Sequence, residues 1–281
     1  MDDDPGLLWQ AAWDGNAYIC LELLKKHSHI HGYVDHQDER SGTTPLCCAL
    51  RNSYRVSRGK YFLVVKHLLQ YGANVSVVCD DGSTALHWAV ENAPLVNDDF
   101  IHPLFESCPY LDVNVKVDGA TPLMTALSCP VYSRPQVSEL LKHGARVNTI
   151  DKNGNSLLHQ RTVDEWELDT LKSYHIDIDR KCNGRTPLHH AIHQYRWHPP
   201  SQIAETVELL LSRGASINIT DEAGRTAQEL AVFLLPEDSH IREMFTSRAV
   251  PFAMGHHRRL GEGSRLMGLD PEMLRMILYQ L

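Results

Sequence analysis

Apolar residues recur along this chain in short bursts with helical spacing, and a glycine closes each burst. VVKHLLQ stops just before Gly72, SELLKH runs into Gly144, and VELLLSR runs into Gly214. Leucines and valines three and four apart lie on one helical face, and glycine adopts the positive φ that ends a helix. Each burst therefore predicts a helix that buries one stripe and stops abruptly. A second pattern stands ten residues after these glycines and at three further places. It reads GTTPLCCAL from Gly42, GSTALHWAV from Gly82, GATPLMTAL from Gly119, GNSLLHQRT from Gly154, GRTPLHHAI from Gly184 and GRTAQELAV from Gly224. Threonine before proline is a good N-cap, and proline at the first helical position gives up no needed N–H. Leucine and alanine then face inward. The unit is a short helix, a turn, a longer helix and a glycine stop.

The anchor glycines stand 40, 37, 35, 30 and 40 residues apart. A single helix pair cannot bury its apolar stripe, so the units must stack side by side. Two motifs repeating in common register resemble the ankyrin repeat over about residues 6 to 246. The resemblance implies an all-α fold: an α-solenoid of stacked helix pairs joined by β-hairpin loops. The expected organisation is about seven repeats over 1–246, with atypical first and last units, and a linker plus amphipathic helix over 247–281. Gln10 near the start, and Gln228 and Glu229 in the seventh unit, put polar residues where the ends of a stack meet solvent. Repeat three, ending SCPYLDVN, and repeat five, ending SYHIDID, lack the glycine stop. The short spacing after Gly154 predicts shortened helices.

His189, His190 and His193 form H-H-x-x-H, one residue away from the zinc-protease H-E-x-x-H. This leaves a metal-dependent hydrolase as an alternative. No glutamate stands ready as general base, and no third ligand is fixed in sequence. In the ankyrin register His87, His159 and His189 are instead the family's own histidine, which bonds locally and ties neighbouring repeats. No nucleotide loop or nucleophile elbow occurs. The expectation is a non-enzymatic protein-binding scaffold or adaptor with no cofactor, no catalytic residue and no metal site.

Composition narrows the partners. Lysine and arginine number 27 against 35 aspartates and glutamates, a formal charge of −8. Attraction to nucleic acid or an anionic membrane is not expected. The acidic start MDDDPG lacks the form of a signal peptide. The seven cysteines are scattered without C-x-x-C, which fits a reducing cytosolic or nuclear compartment better than a disulfide framework.

What the resemblance implies about binding falls on hairpin tips and first-helix ends. These include Arg40, Arg51, Asp80, Asp81, Glu91, Asp118, Lys152, Arg185 and His193. Asp80, Asp81, Glu91 and Asp118 would favour a basic partner segment, with acid preferred near Lys152 and Arg185. The turns between paired helices are lengthened in repeats two and six, as NSYRVSRGK and QYRWHPPSQ, and slightly in repeat four, as PVYSRP. They put Tyr54 and Arg55, Tyr132 and Arg134, and Tyr195, Arg196 and Trp197 on one edge, and these residue types dominate interface energetics.

The C-terminal LDPEMLRMILYQL opens a helix with Asp270 as N-cap and Pro271 at the first position. Leu274, Ile277, Leu278 and Leu281 form its apolar face. The stretch weakly resembles the start of an F-box. That would imply a substrate adaptor docking on the linker subunit of a cullin-type ubiquitin ligase. Packing against the last repeat as a cap is the other expectation.

Overall fold

The computed structural model describes residues 4–53, 60–96, 100–128, 134–160, 164–237 and 239–245. The chain divides into two compact units, Met1–Arg161 with Trp166–Ile176, and Thr162–Glu165 with Asp177–Leu281.

The first unit is a series of helix pairs: α1 (Gly6–Trp13) with α2 (Ala17–His27), α3 (Pro45–Asn52) with α4 (Lys60–Gln70), α5 (Ala85–Val96) with α6 (Ile101–Ser107), and α7 (Pro122–Ser128) with α8 (Arg134–Lys142). α9 (Leu157–Gln160) and α10 (Glu165–Ser173) follow. The first helices pack in sequence, α1 on α3, α3 on α5, α5 on α7 and α7 on α9, and the second helices α2, α4, α6 and α8 form a parallel row. Apolar residues fill the space between rows, with Leu8, Leu46, Leu50, Leu68, Leu104, Leu123 and Leu140 fully buried. In the second unit α11 (Pro187–His193) packs on α12 (Pro200–Ser212) and α13 (Ala227–Leu234). A last helical stretch follows over 240–245.

The expected caps form. Thr44 accepts the Cys47 N–H at 3.2 Å with Pro45 behind it, and Thr186 accepts the His189 N–H at 3.4 Å with Pro187 behind it. In α13 there is no proline. A reciprocal capping box replaces it, with the Thr226 N–H donating to Glu229 Oε2 at 2.7 Å.

The glycine stops also form. Gly72, Gly144 and Gly214 lie at φ 82°, 88° and 95°. The next amide reaches back to close the helix, for example Ala73 N–H to the Leu68 carbonyl at 3.0 Å. Repeat five keeps this geometry without glycine: His175 takes φ 62°, and the Ile176 N–H bonds the Leu171 carbonyl at 3.2 Å. Repeat three does without it, because Cys108 ends α6 from φ −142°. In repeat five α9 is described over Leu157–Gln160, residues 161–163 lying outside the described residues, and α10 has nine residues, as many as α8.

Among the described residues the loops make isolated bridges and no strand. The pairs are Val117 with Ala120, Ile150 with Ser156, Cys182 with Arg185 and Thr220 with Thr226. The two tightest tips are Asp118-Gly119 and Asn183-Gly184, both residues of each at positive φ. That is the turn which Asp-Gly and Asn-Gly favour. Wider tips are tied by an aspartate: Asp151 accepts the N–H of Asn153 and Asn155, and Asp221 those of Ala223 and Arg225.

Candidate functional site

The repeat histidines are structural joints. His189 Nδ1 lies 2.8 Å from the Thr186 hydroxyl and its Nε2 lies 3.0 Å from the Arg225 carbonyl, one repeat on. His87 does the same with Thr84 at 2.9 Å and the Val115 carbonyl at 3.1 Å. His159 bonds Ser156 at 2.7 Å. A carbonyl only accepts, so Nε2 carries the proton and the hydroxyl donates to Nδ1. Burial pushes both His87 and His189 below their ordinary pKa, against the opposing pull of the carbonyls. His190 is engaged by Gln194 at 2.9 Å. Among the described residues no three His, Cys, Asp or Glu side chains converge to hold an ion. The six described cysteines are free thiols.

A second set of ties joins neighbouring loops. Asp35 accepts the Asn74 N–H at 2.8 Å, Asn114 accepts the Arg146 N–H at 2.9 Å, and Asp179 accepts the Ser216 N–H at 2.8 Å. The aspartate or asparagine of Val34-Asp35, Val113-Asn114 and Ile178-Asp179 thus ties its own loop to the corresponding loop of the next repeat.

At those tips several candidate charges are engaged locally. Arg51 lies with its guanidinium 5.1 Å above the Trp88 ring. Burial pushes the Asp81 carboxyl up, but hydrogen bonds from Ser83 and the charge of Arg51 outweigh it and hold it low. Asp118 stands 3.8 Å from Lys152, with both side chains exposed. The Asp80 carboxylate rests against Gly42, on the neighbouring tip. Glu91 and Arg40 are exposed, the Arg40 backbone N–H held by Asp38 at 3.2 Å. The acidic cluster is therefore partly neutralised from within. Arg185 is exposed at the Cys182 bridge.

The structure gathers one group of candidates. His193, Tyr195, Arg196 and Trp197 line a cavity of about 220 Å³ together with Ile192 and Leu234. The lengthened turn is ordered: Gln194–Arg196 forms a 3₁₀ turn, and the Gln194 carbonyl accepts the N–H of Trp197 at 2.9 Å and of His198 at 3.1 Å. Trp197 is 80% exposed. His193 Nε2 is buried without a hydrogen-bond partner. Burial first, then the charges of Arg185 and Arg225, keep its pKa below the ordinary value.

One residue absent from the sequence candidates belongs with them. Phe233 is 72% exposed, and the Arg225 guanidinium stands 5.6 Å above its ring. It lies nine residues after its anchor glycine, as do Arg51, Glu91 and His193, and that register was the available signal. Arg134 begins α8 and stacks over Trp166 at 5.2 Å rather than projecting freely. Tyr54, Arg55, Tyr132, and the helix face Leu274, Ile277, Leu278 and Leu281 lie outside the described residues. Among the described residues no helix is long and apolar enough to cross a membrane.

Comparison with known proteins agrees with this geometry. The family model for ankyrin repeats (three copies) matches residues 8–116 and 132–221. The phosphocholine transferase AnkX of Legionella pneumophila is 28% identical over 222 residues, covering 75% of this chain and 22% of AnkX. The nuclear factor NF-kappa-B p105 subunit of Gallus gallus is 27% identical over 180 residues, covering 60% of this chain and 17% of that protein. This chain thus spans about a fifth of the length of these relatives. The crystal structure of the Bcl-3 ankyrin repeat domain superposes with a TM-score of 0.66 at 22% identity, covering 85% of this chain and 97% of that one. A family model that fits most of the sequence, co-registered caps and histidine joints, and a shared fold lead to one conclusion: this chain belongs to the ankyrin repeat family.

Proposed function

We propose that this chain is a protein-binding scaffold or adaptor without catalytic chemistry of its own. The observation that carries the reading is the ordered, solvent-facing Tyr195-Arg196-Trp197 turn beside a cavity walled by Ile192 and Leu234. Large apolar side chains held rigidly at the surface lose little conformational freedom on contact, and Trp, Tyr and Arg carry most binding energy at protein interfaces. Within H-H-x-x-H, His189 is engaged in a joint between repeats and His190 in a local bond to Gln194, which supports an architectural role for these two. Arg185 and Phe233 are the charged and aromatic contact candidates in the same unit as this turn, and Arg51, Asp80, Asp81, Glu91, Asp118 and Lys152 are those of the first unit. Partners are one or more proteins in this reading. The test is affinity capture from the native cell with the wild-type chain and with the double variant Arg196→Ala, Trp197→Ala. Specific loss of a captured protein, at unchanged helical content, is the expected result. Identical capture by both chains would remove the turn from the binding surface.

A further inference from the structure

Four first helices carry a buried apolar residue eight positions after their anchor glycines Gly42, Gly82, Gly119 and Gly184. Leu50 is 0% exposed, Val90 2%, Leu127 4% and Ile192 0%. The same position in α13 is Val232, and it is 54% exposed. One helical turn earlier on the same helices, the buried leucine series Leu46, Leu86, Leu123 and Leu188 is replaced by Gln228, which is half-buried. The last pair has therefore made half of its stacking face polar and kept the other half apolar. Val232 and Phe233, 72% exposed beside it, leave two large apolar side chains next to each other at the surface of α13.

No further Gly-x-Thr-Pro-Leu motif occurs between Gly224 and residue 281, so what directly follows α13 and the 240–245 helix is not another repeat. The same stretch holds a predicted helix with a complementary need. Over 270–281, Leu274, Ile277, Leu278 and Leu281 make one apolar stripe behind a strong Asp-Pro-Glu start. One stripe on a single short helix is not stable in water without a surface to lie on. Twenty-four residues separate it from Phe245, a reach on the order of 80 Å when extended. A tether of that length supplies an effective concentration around the millimolar range, which favours the attached surface over one on another molecule.

We infer that residues 270–281 dock in cis across the uncovered stacking face of α13, with Leu274, Ile277 and Leu278 over Val232. The helix does there what an eighth repeat would do, and Gln228 marks the border of the contact. This does not depend on which protein the Tyr195-Arg196-Trp197 turn binds.

The experiment places a photo-crosslinking benzoylphenylalanine at position 232 of the full chain. The expected product is an intramolecular crosslink to the 270–281 peptide, seen by mass spectrometry on monomeric protein. In the full-chain variant Leu274→Asp, Ile277→Asp, Leu278→Asp, that crosslink disappears. Amide exchange in α13 then rises at least tenfold, while exchange in α3 and α5 stays unchanged and certifies the remaining fold. Crosslinks to a second copy, no crosslink to 270–281, or a crosslink indifferent to the three aspartates would each overturn the inference. So would full protection of α13 in that variant. Capture of a ubiquitin-ligase linker subunit by 270–281, with position 232 uncrosslinked, would assign the helix to another protein instead.

Discussion

His189 donates from Nε2 to the Arg225 carbonyl, 3.0 Å away, while the Thr186 hydroxyl donates to its Nδ1 at 2.8 Å. One neutral imidazole thereby braces the N-cap hydroxyl of its own helix and holds the next loop, 36 positions further along the chain. His87 repeats the arrangement with Thr84 and Val115.

These joints predict an acid-sensitive stack. Both imidazoles ionise less readily in the folded chain than at their ordinary pKa of 6.5, because burial disfavours the charged form. The unfolded chain then binds more protons as pH falls below that value. The contribution of the joints is fully present above about pH 6.5 and is lost on acidification through the lowered folded pKa. Urea titrations at a series of pH values should show stability falling as pH drops below about 6.5, with a shallower slope in His87→Gln. A slope unchanged by the substitution would detach the effect from this residue.

Removing a joint altogether has a neutral-pH cost. His189→Ala leaves the Arg225 carbonyl and the Thr186 hydroxyl without their partner. The expected loss is about 1–3 kcal/mol, read from the denaturant midpoint.

His175 occupies the left-handed region where α4, α8 and α12 are followed by Gly72, Gly144 and Gly214. For a residue with a Cβ that conformation costs about 1–2 kcal/mol. Its side chain is exposed, and the bond it accepts from Asn148 is made by its backbone carbonyl. His175→Gly should therefore raise stability by about 1 kcal/mol and leave the loop geometry intact, as a thermal melt would report.

Gly72 and Gly119 offer a controlled pair. Their φ values are 82° and 83°, so alanine suffers the same backbone strain at both. A Cβ on Gly72 meets nothing within 4 Å, whereas one on Gly119 meets the Lys152 backbone N at 2.5 Å and its Cα at 2.9 Å. Gly119→Ala should be the more destabilising by about 1–3 kcal/mol, the usual cost of forcing atoms into occupied space. Equal losses would mean that the tips separate freely.

For binding, Trp197→Ala should weaken partner affinity at least about tenfold, the level that marks an interface hot spot. At 80% exposure the ring contributes little to the fold, so the melting temperature should hardly move. Phe233→Ser, also at an exposed ring, should lower affinity as well, and an unchanged affinity would confine the contact to the turn.

Much of this molecule is decided within a few residues, and that part is legible in the amino-acid sequence. Thr44 caps Cys47, Thr186 caps His189, and Gly72 ends its helix because capping and left-handed turns involve atoms three to six positions apart. The repetition of those local signals dictates that helix pairs must stack, since none buries its stripe alone. Other outcomes depended on bringing together residues a full repeat apart. Only the folded chain put Arg51 over Trp88 beside Asp81, set Lys152 against Asp118, and closed Ile192, His193, Trp197 and Leu234 around one cavity. It also let His175 replace a glycine and left Val232 bare where Ile192 is covered. Local chemistry repeats with the motif, but the environment of a side chain is set by which neighbour lies across from it, and at the end of a stack that neighbour changes.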